Sequence, residues 1–216
     1  LSPIGPETAE GLRSVVARGS GLAPDVFAKV GASNTVNTNF LHCFAGANVD
    51  LAGRDELAPT VAFFKAGDAA GTTPYNRTSL AATVGWSAWS AIAGSPSPLQ
   101  KEVSAISPQL AVILFGTNDI QARDLFKYQG NILDITDQLL AQGIVPLLTS
   151  VPPRDDDAAA DLWVPRYSAV VRAIAQARGV PFLDLERELR QLSDHGIGAD
   201  GLHLTTYLSG GAARGC

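Results

Sequence analysis

Two residue types at a fixed spacing open the chemical reading: Asp200-Gly201-Leu202-His203 places a carboxylate three residues before an imidazole. In a turn or first helical stage that spacing puts both groups on one side. The carboxylate can then accept from Nδ1 and leave Nε2 free to take a proton. A serine hydroxyl is a feeble nucleophile until such a base deprotonates it, and Ser33 in Gly31-Ala32-Ser33-Asn34 is the candidate, exposed by a glycine turn. The anion developing on an attacked carbonyl needs donors, which the Ser33 backbone N–H, the Asn118 side-chain amide in Gly116-Thr117-Asn118-Asp119 and one further backbone N–H can supply. Taken singly, each signal reads first as a turn or a surface capping pair. Their joint order, each beside a strand-like run, points to acyl transfer.

Those runs define the elements that must position the chemistry. Val26–Val30 is a short β-prone segment that stops at Gly31, and Leu110–Phe115 (LAVILF) is a continuous apolar run of strand length. Ile144–Ser150 and Val180–Leu183 follow in the same manner. Runs apolar on successive residues mark strands covered on both faces, as in a parallel sheet. Between them lie helical patterns: Leu57–Phe64, Leu80–Ile92, Leu99–Ile106, a stripe of Leu125, Tyr128, Ile132, Ile135 and Leu139, and another of Tyr167, Val170, Val171 and Ile174. Trp86 and Trp89 are expected in the core, although these and Trp163 could instead line a pocket. Residues 1–24, with three prolines and a short amphipathic stretch around Leu12–Ala17, read as an N-terminal arm and helix, and residues 25–216 as one domain. Alternating strands and helices with short links demand right-handed crossovers, hence an α/β fold with a central parallel sheet and helices on both faces. In such a sheet ligands bind beyond the carboxyl ends of the strands, where Ser33 and Asn118 fall.

Composition narrows the partners. The 216 residues carry 46% apolar and 17% charged residues and a formal charge of −5, without a Lys/Arg cluster. A phosphate backbone would meet a mildly repulsive surface, so no nucleic acid is expected. No apolar run approaches the roughly 18 residues of a membrane span. His42, His195 and His203 with Cys43 and Cys216 form none of the usual zinc spacings, so no metal is expected. His42 and His195 read as surface residues. The two cysteines either form one disulfide, which suits an extracellular or periplasmic protein, or are unrelated thiols. A chain beginning at Leu1 is what a processed or trimmed protein looks like. Monomer is the default state.

The blocks VGASNT, FGTNDI and DGLHLT, in that order, resemble the SGNH or GDSL hydrolases, and the resemblance runs from about Val26 to Thr205. A further block, SLAATVGWSA, is the least specific match and makes Gly85 the candidate for the second backbone donor. The resemblance implies a three-layer α/β/α flavodoxin-like fold, no cofactor, and hydrolysis of small-molecule, lipid or glycan esters. By residue it implies Ser33 as nucleophile, Ser33, Gly85 and Asn118 as the oxyanion hole, and Asp200 with His203 completing a triad. Ala32 stands where the family has an aspartate whose hydrogen bonds help hold the turn, which points to lower activity or altered substrate choice. Thirteen residues follow His203, whereas the family packs a closing helix there, as if the chain were truncated. Two further readings remain: a silent domain that binds a glycan or lipid without cleaving it, and an acyltransferase using the same triad. A flavodoxin-like nucleotide binder is disfavoured, because GASN replaces a phosphate-binding glycine loop.

Overall fold

The computed structural model describes residues 4–47 and 49–205, together with the backbone of residues 208–209 and 212–213. Helices α1 (Pro6–Val16), α2 (Ser33–Val36), α3 (Ala58–Ala66), α4 (Ala88–Ile92) and α5 (Pro98–Ile106) precede α6 (Leu125–Ala141), α7 (Ala158–Asp161), α8 (Val164–Arg178) and α9 (Leu185–Leu189). Strands β1 (Ala23–Gly31), β2 (Pro108–Leu114), β3 (Val145–Thr149) and β4 (Phe182–Leu183) form one parallel sheet in that order. A two-residue pair, β5 (Leu208–Ser209) and β6 (Ala212–Ala213), is antiparallel.

The strand alternation builds the layers. Val26, Ala28 and Val30 of β1, Ala111 and Ile113 of β2 and Leu148 of β3 point to one face, where the buried stripe of α6 meets them. Ile135 and Leu139 of that stripe are fully buried, and each such side chain contributes about 1.5–3 kcal/mol of transfer free energy. On the opposite face Phe27 meets Phe64 of α3 and Tyr75 edge-on, with ring centroids 5.4 and 5.3 Å away. Helices on both faces of a parallel sheet make the three-layer α/β/α fold that the sequence implied.

Local signals set the ends. Ser97 and Gln100 form a reciprocal capping box around Pro98 at the start of α5, which satisfies two otherwise orphaned N–H groups. Asp124 accepts the Lys127 N–H to cap α6. Pro108 opens β2, where a missing N–H is tolerated.

One expected element is largely absent. Of the helix expected over Leu80–Ile92, residues 88–92 are helical and the rest is turn. Ala82 instead makes a single parallel bridge to Gly31 on the free side of β1, with Gly31 N–H donating to Ala81 O (3.1 Å) and Thr83 N–H to Gly31 O (3.3 Å). Glu102 takes the Leu80 N–H at 2.8 Å. Small residues that favour a helix in isolation are thus drawn into tertiary pairing. Trp89 is correspondingly 55% exposed rather than core, whereas Trp86 packs against the main cluster.

No described helix is long and apolar enough to cross a membrane. The disulfide reading of Cys43 and Cys216 lies outside the described residues at its Cys216 end, and of the residues after Thr205, where a closing helix was the family expectation, the structure describes the short β5–β6 pair alone.

Candidate active site

The carboxyl ends of the strands gather the expected residues. Ser33 is the first residue of α2, two positions beyond the end of β1, and it is half-buried. The Thr35 and Val36 N–H groups close this turn onto the Ala32 carbonyl at 3.0 and 3.1 Å. Ala32 is 6% exposed and belongs to the main core cluster. The position of the family aspartate is therefore filled by packing.

The chain departs from β2 through Gly116, whose φ of 125° favours glycine. A Cβ there would also stand 2.3 Å from Val151 Cγ2. Two buried tyrosines hold the turn that follows: Tyr128 Oη donates to Phe115 O and Tyr167 Oη to Asp119 O, each at 3.1 Å. Asn118 Nδ2 donates to Trp86 O at 2.8 Å, which ties this turn to the segment carrying Gly85. Gly85 is exposed, with φ of 81°. Asp119 is buried, and its carboxylate caps α4 by accepting from Ala88 N–H at 3.0 Å. Burial pushes its pKa up from 3.8 to about 6, opposed by hydrogen bonds from Ala88 and neighbouring backbone.

Asp200 and His203 meet as their spacing suggested: His203 Nδ1 lies 2.6 Å from Asp200 Oδ2. The other carboxylate oxygen accepts the Leu202 and His203 N–H groups, both at 3.0 Å. The backbone and imidazole donors of His203 and the Leu202 N–H hold the Asp200 carboxyl well below the usual carboxylate range. The carboxylate is thus charged and locked, and fixes the imidazole with Nε2 directed away from it.

What binds this loop to the serine turn was not foreseen. Asn34, adjacent to Ser33, accepts Leu204 N–H at 2.9 Å and donates to Leu202 O at 3.4 Å, so it grips the chain on both sides of His203. Asn37 and Asn39 also donate to Leu204 O, at 3.3 and 3.0 Å. Arg154 carries no local signal of a structural role. Its guanidinium is 5% exposed, forks onto Asp156 with two 2.7 Å bonds and donates to Thr117 O at 2.8 Å. The N–H groups of Asp155 and Asp156 donate to Gly201 O at 2.8 and 2.9 Å. Gly201, with φ of 70°, packs so closely that a Cβ would approach Asp156 N to 2.6 Å.

The contacts close a ring. Ser33 is joined through Asn34 to the His203 loop, that loop through Gly201 and Arg154 to Thr117, Asn118 to Trp86, and Thr83 back to Gly31 beneath the serine. All five expected site residues lie on it. His195 lies outside: it is a surface residue as expected, but its partner is Asp155, with Nδ1 2.8 Å from the carboxylate. His42 lines a separate cavity beside Lys29. Among the described residues no group of three or more His, Cys, Asp or Glu side chains is placed to hold a metal ion.

Residues 63–207 match the GDSL-like lipase/acylhydrolase family, a span that includes Gly85, Asn118, Asp200 and His203 and begins after Ser33. No curated protein matches the chain. Among solved structures, a lipase/acylhydrolase from Enterococcus faecalis superposes with a TM-score of 0.56 at 15% identity, covering 83% of this chain and 86% of that one. A GDSL-like lipase from Bacteroides thetaiotaomicron gives 0.55 at 19% identity over 92% and 90% of the two chains. A catalytic mutant of an acetylxylan esterase from Geobacillus stearothermophilus gives 0.55 at 16% identity over 87% and 88%. At these identities the likeness is one of fold.

Proposed function

Because the chain belongs to the GDSL-like lipase/acylhydrolase family, and is in that sense a serine ester hydrolase, we propose that Ser33, His203 and Asp200 are its catalytic triad and that hydrolysis passes through an acyl-enzyme on Ser33. The observation that carries this reading is the 2.6 Å contact of His203 Nδ1 with Asp200, on a loop that Asn34 binds beside Ser33.

Asp200 fixes the imidazole so that Nε2 accepts the Ser33 proton as Oγ attacks the acyl carbonyl. The carbonyl oxygen takes up the displaced electron pair and is met by the Ser33 and Gly85 N–H groups and by Asn118. One Asn118 amide hydrogen is engaged by Trp86 O, and the second is available to the oxyanion. Collapse expels the alcohol, which takes the proton from His203. Water then adds to the acyl-enzyme with His203 again as base and releases the acid. The preferred substrates on this reading are esters of small molecules, lipids or glycans whose acyl group reaches the exposed turn at Gly85.

A fluorophosphonate probe tests the assignment. Covalent mass on a peptide containing Ser33, lost in Ser33→Ala together with about 10³- to 10⁶-fold of kcat, is the expected result. Unchanged esterase activity in Ser33→Ala would remove the triad assignment while leaving the family membership intact.

A further inference from the structure

Behind α2, on the face of β1 away from the main core, lies a cavity of about 40 Å³ lined by Lys29, Thr35, His42, Arg77, Ser79 and Ala82. Lys29 is 2% exposed, and its ammonium donates to Tyr75 O at 2.8 Å. An ammonium carries three donors, and this carbonyl is the one acceptor it meets among the described residues. The neighbouring Arg77 is already matched, since its guanidinium forks onto Glu102 at 3.2 and 3.1 Å. Glu102 thus has its own cation and lends Lys29 only a distant attraction. Burial lowers the Lys29 pKa from 10.5 to about 8, so the group remains mostly charged at neutrality. Its charge, after burial, lowers the pKa of His42 on the cavity wall.

A buried charge persists where a counter-charge meets it. The second anomaly of the cavity lies beside the first: Thr35 Oγ1 is buried without a hydrogen-bond partner. An ammonium with a single carbonyl partner and a hydroxyl with none therefore line the same small space between β1 and the helix that begins at Ser33.

We propose that this cavity is a binding site for a small monovalent anion, held by the Lys29 ammonium and the Thr35 hydroxyl. The volume sets the class. The space, about 40 Å³, is larger than the minimum that holds one water and suits one ion of halide size. The site neutralises the base of α2, takes no part in ester cleavage, and stands whether or not Ser33 is the nucleophile.

Bromide is the probe, because its anomalous scattering locates it. Crystals of the protein grown in sodium bromide should show an anomalous peak between Lys29 Nζ and Thr35 Oγ1. In solution, replacing sodium gluconate by sodium bromide at constant ionic strength should raise Tm saturably, by about 3–6 °C at ten times Kd. Lys29→Met should lose that dependence, and Thr35→Val, which keeps the shape of the side chain, should weaken it several-fold even where Lys29→Met does not fold. A water in the cavity with no anomalous peak and no saturable change in Tm would overturn the site. A bromide dependence of the same size in both variants would mark the ion as adventitious and overturn it equally.

Discussion

Asn34 accepts the backbone N–H of Leu204 at 2.9 Å, so the residue after Ser33 holds the residue after His203. The proposed nucleophile and its proposed base lie in segments 170 residues apart, and each is braced by its neighbour. On the proposed triad, Asn34→Ala should lower kcat/KM by about 10- to 100-fold, because small displacements of reacting groups carry large rate losses. Steady-state kinetics with a small acyl ester, beside the extent of fluorophosphonate labelling, checks this. A variant that labels fully and turns over normally would show that Asn37 and Asn39 suffice to hold the loop.

Asn118 donates to Trp86 O and has one amide hydrogen left. Asn118→Ala should lower kcat by about 10²- to 10³-fold with little change in KM, the loss typical of one oxyanion donor. A change confined to KM would place Asn118 in ground-state binding only.

Arg154 joins the loop of Gly201 to Thr117 from a nearly buried position. Arg154→Met should lower kcat by about tenfold or more and leave KM nearly unchanged, since the side chain orients two segments and touches no substrate. Arg154→Lys should restore part of the activity, because an ammonium supplies the charge and cannot reproduce the fork. Titration with a fluorophosphonate separates a slower enzyme from a smaller folded fraction.

Asp119 governs a pH dependence of stability. Its pKa is about 6 in the fold against an ordinary 3.8, so between those values the native chain holds the extra proton. The stability this contributes is complete below pH 3.8 and is lost as pH rises through about 6. Asp119→Asn keeps an acceptor for Ala88 and removes the charge. Denaturant unfolding should show the variant gaining roughly 2 kcal/mol relative to the parent between pH 4 and 7. A constant difference across that range would contradict the buried, raised carboxyl.

Much of this architecture was legible because both faces of the sheet are covered. LAVILF and the Ile144–Ser150 run became β2 and β3, and the stripe from Tyr128 to Leu139 is buried as its period required. Ser33, Asn118 and the Asp200–His203 pair were visible because they stand directly beyond strand ends or within one turn. The failures share a cause: the deciding partner is distant in sequence. Leu80–Ser87 carries small, helix-tolerant residues, and Gly31, Glu102 and Asn118 draw it out of a helix. Arg154 binds a carbonyl 37 residues away and Asn34 binds amides near the far end of the chain. His195 pairs with a carboxylate 40 residues distant rather than with Asp194 beside it. No local pattern encodes such contacts.

The lone Gly31–Ala82 bridge has a mechanical corollary. Among the described residues the free side of β1 is met at one end by Ala82 and at the other by Gly67, so close that a Cβ there would come within 2.1 Å of Asp25 O. Both contacts shorten the stretch of edge open to a foreign strand. The bridge also leaves the Gly85 turn to be held from its two sides, by Gly31 through Ala81 and Thr83 and by Asn118 through Trp86.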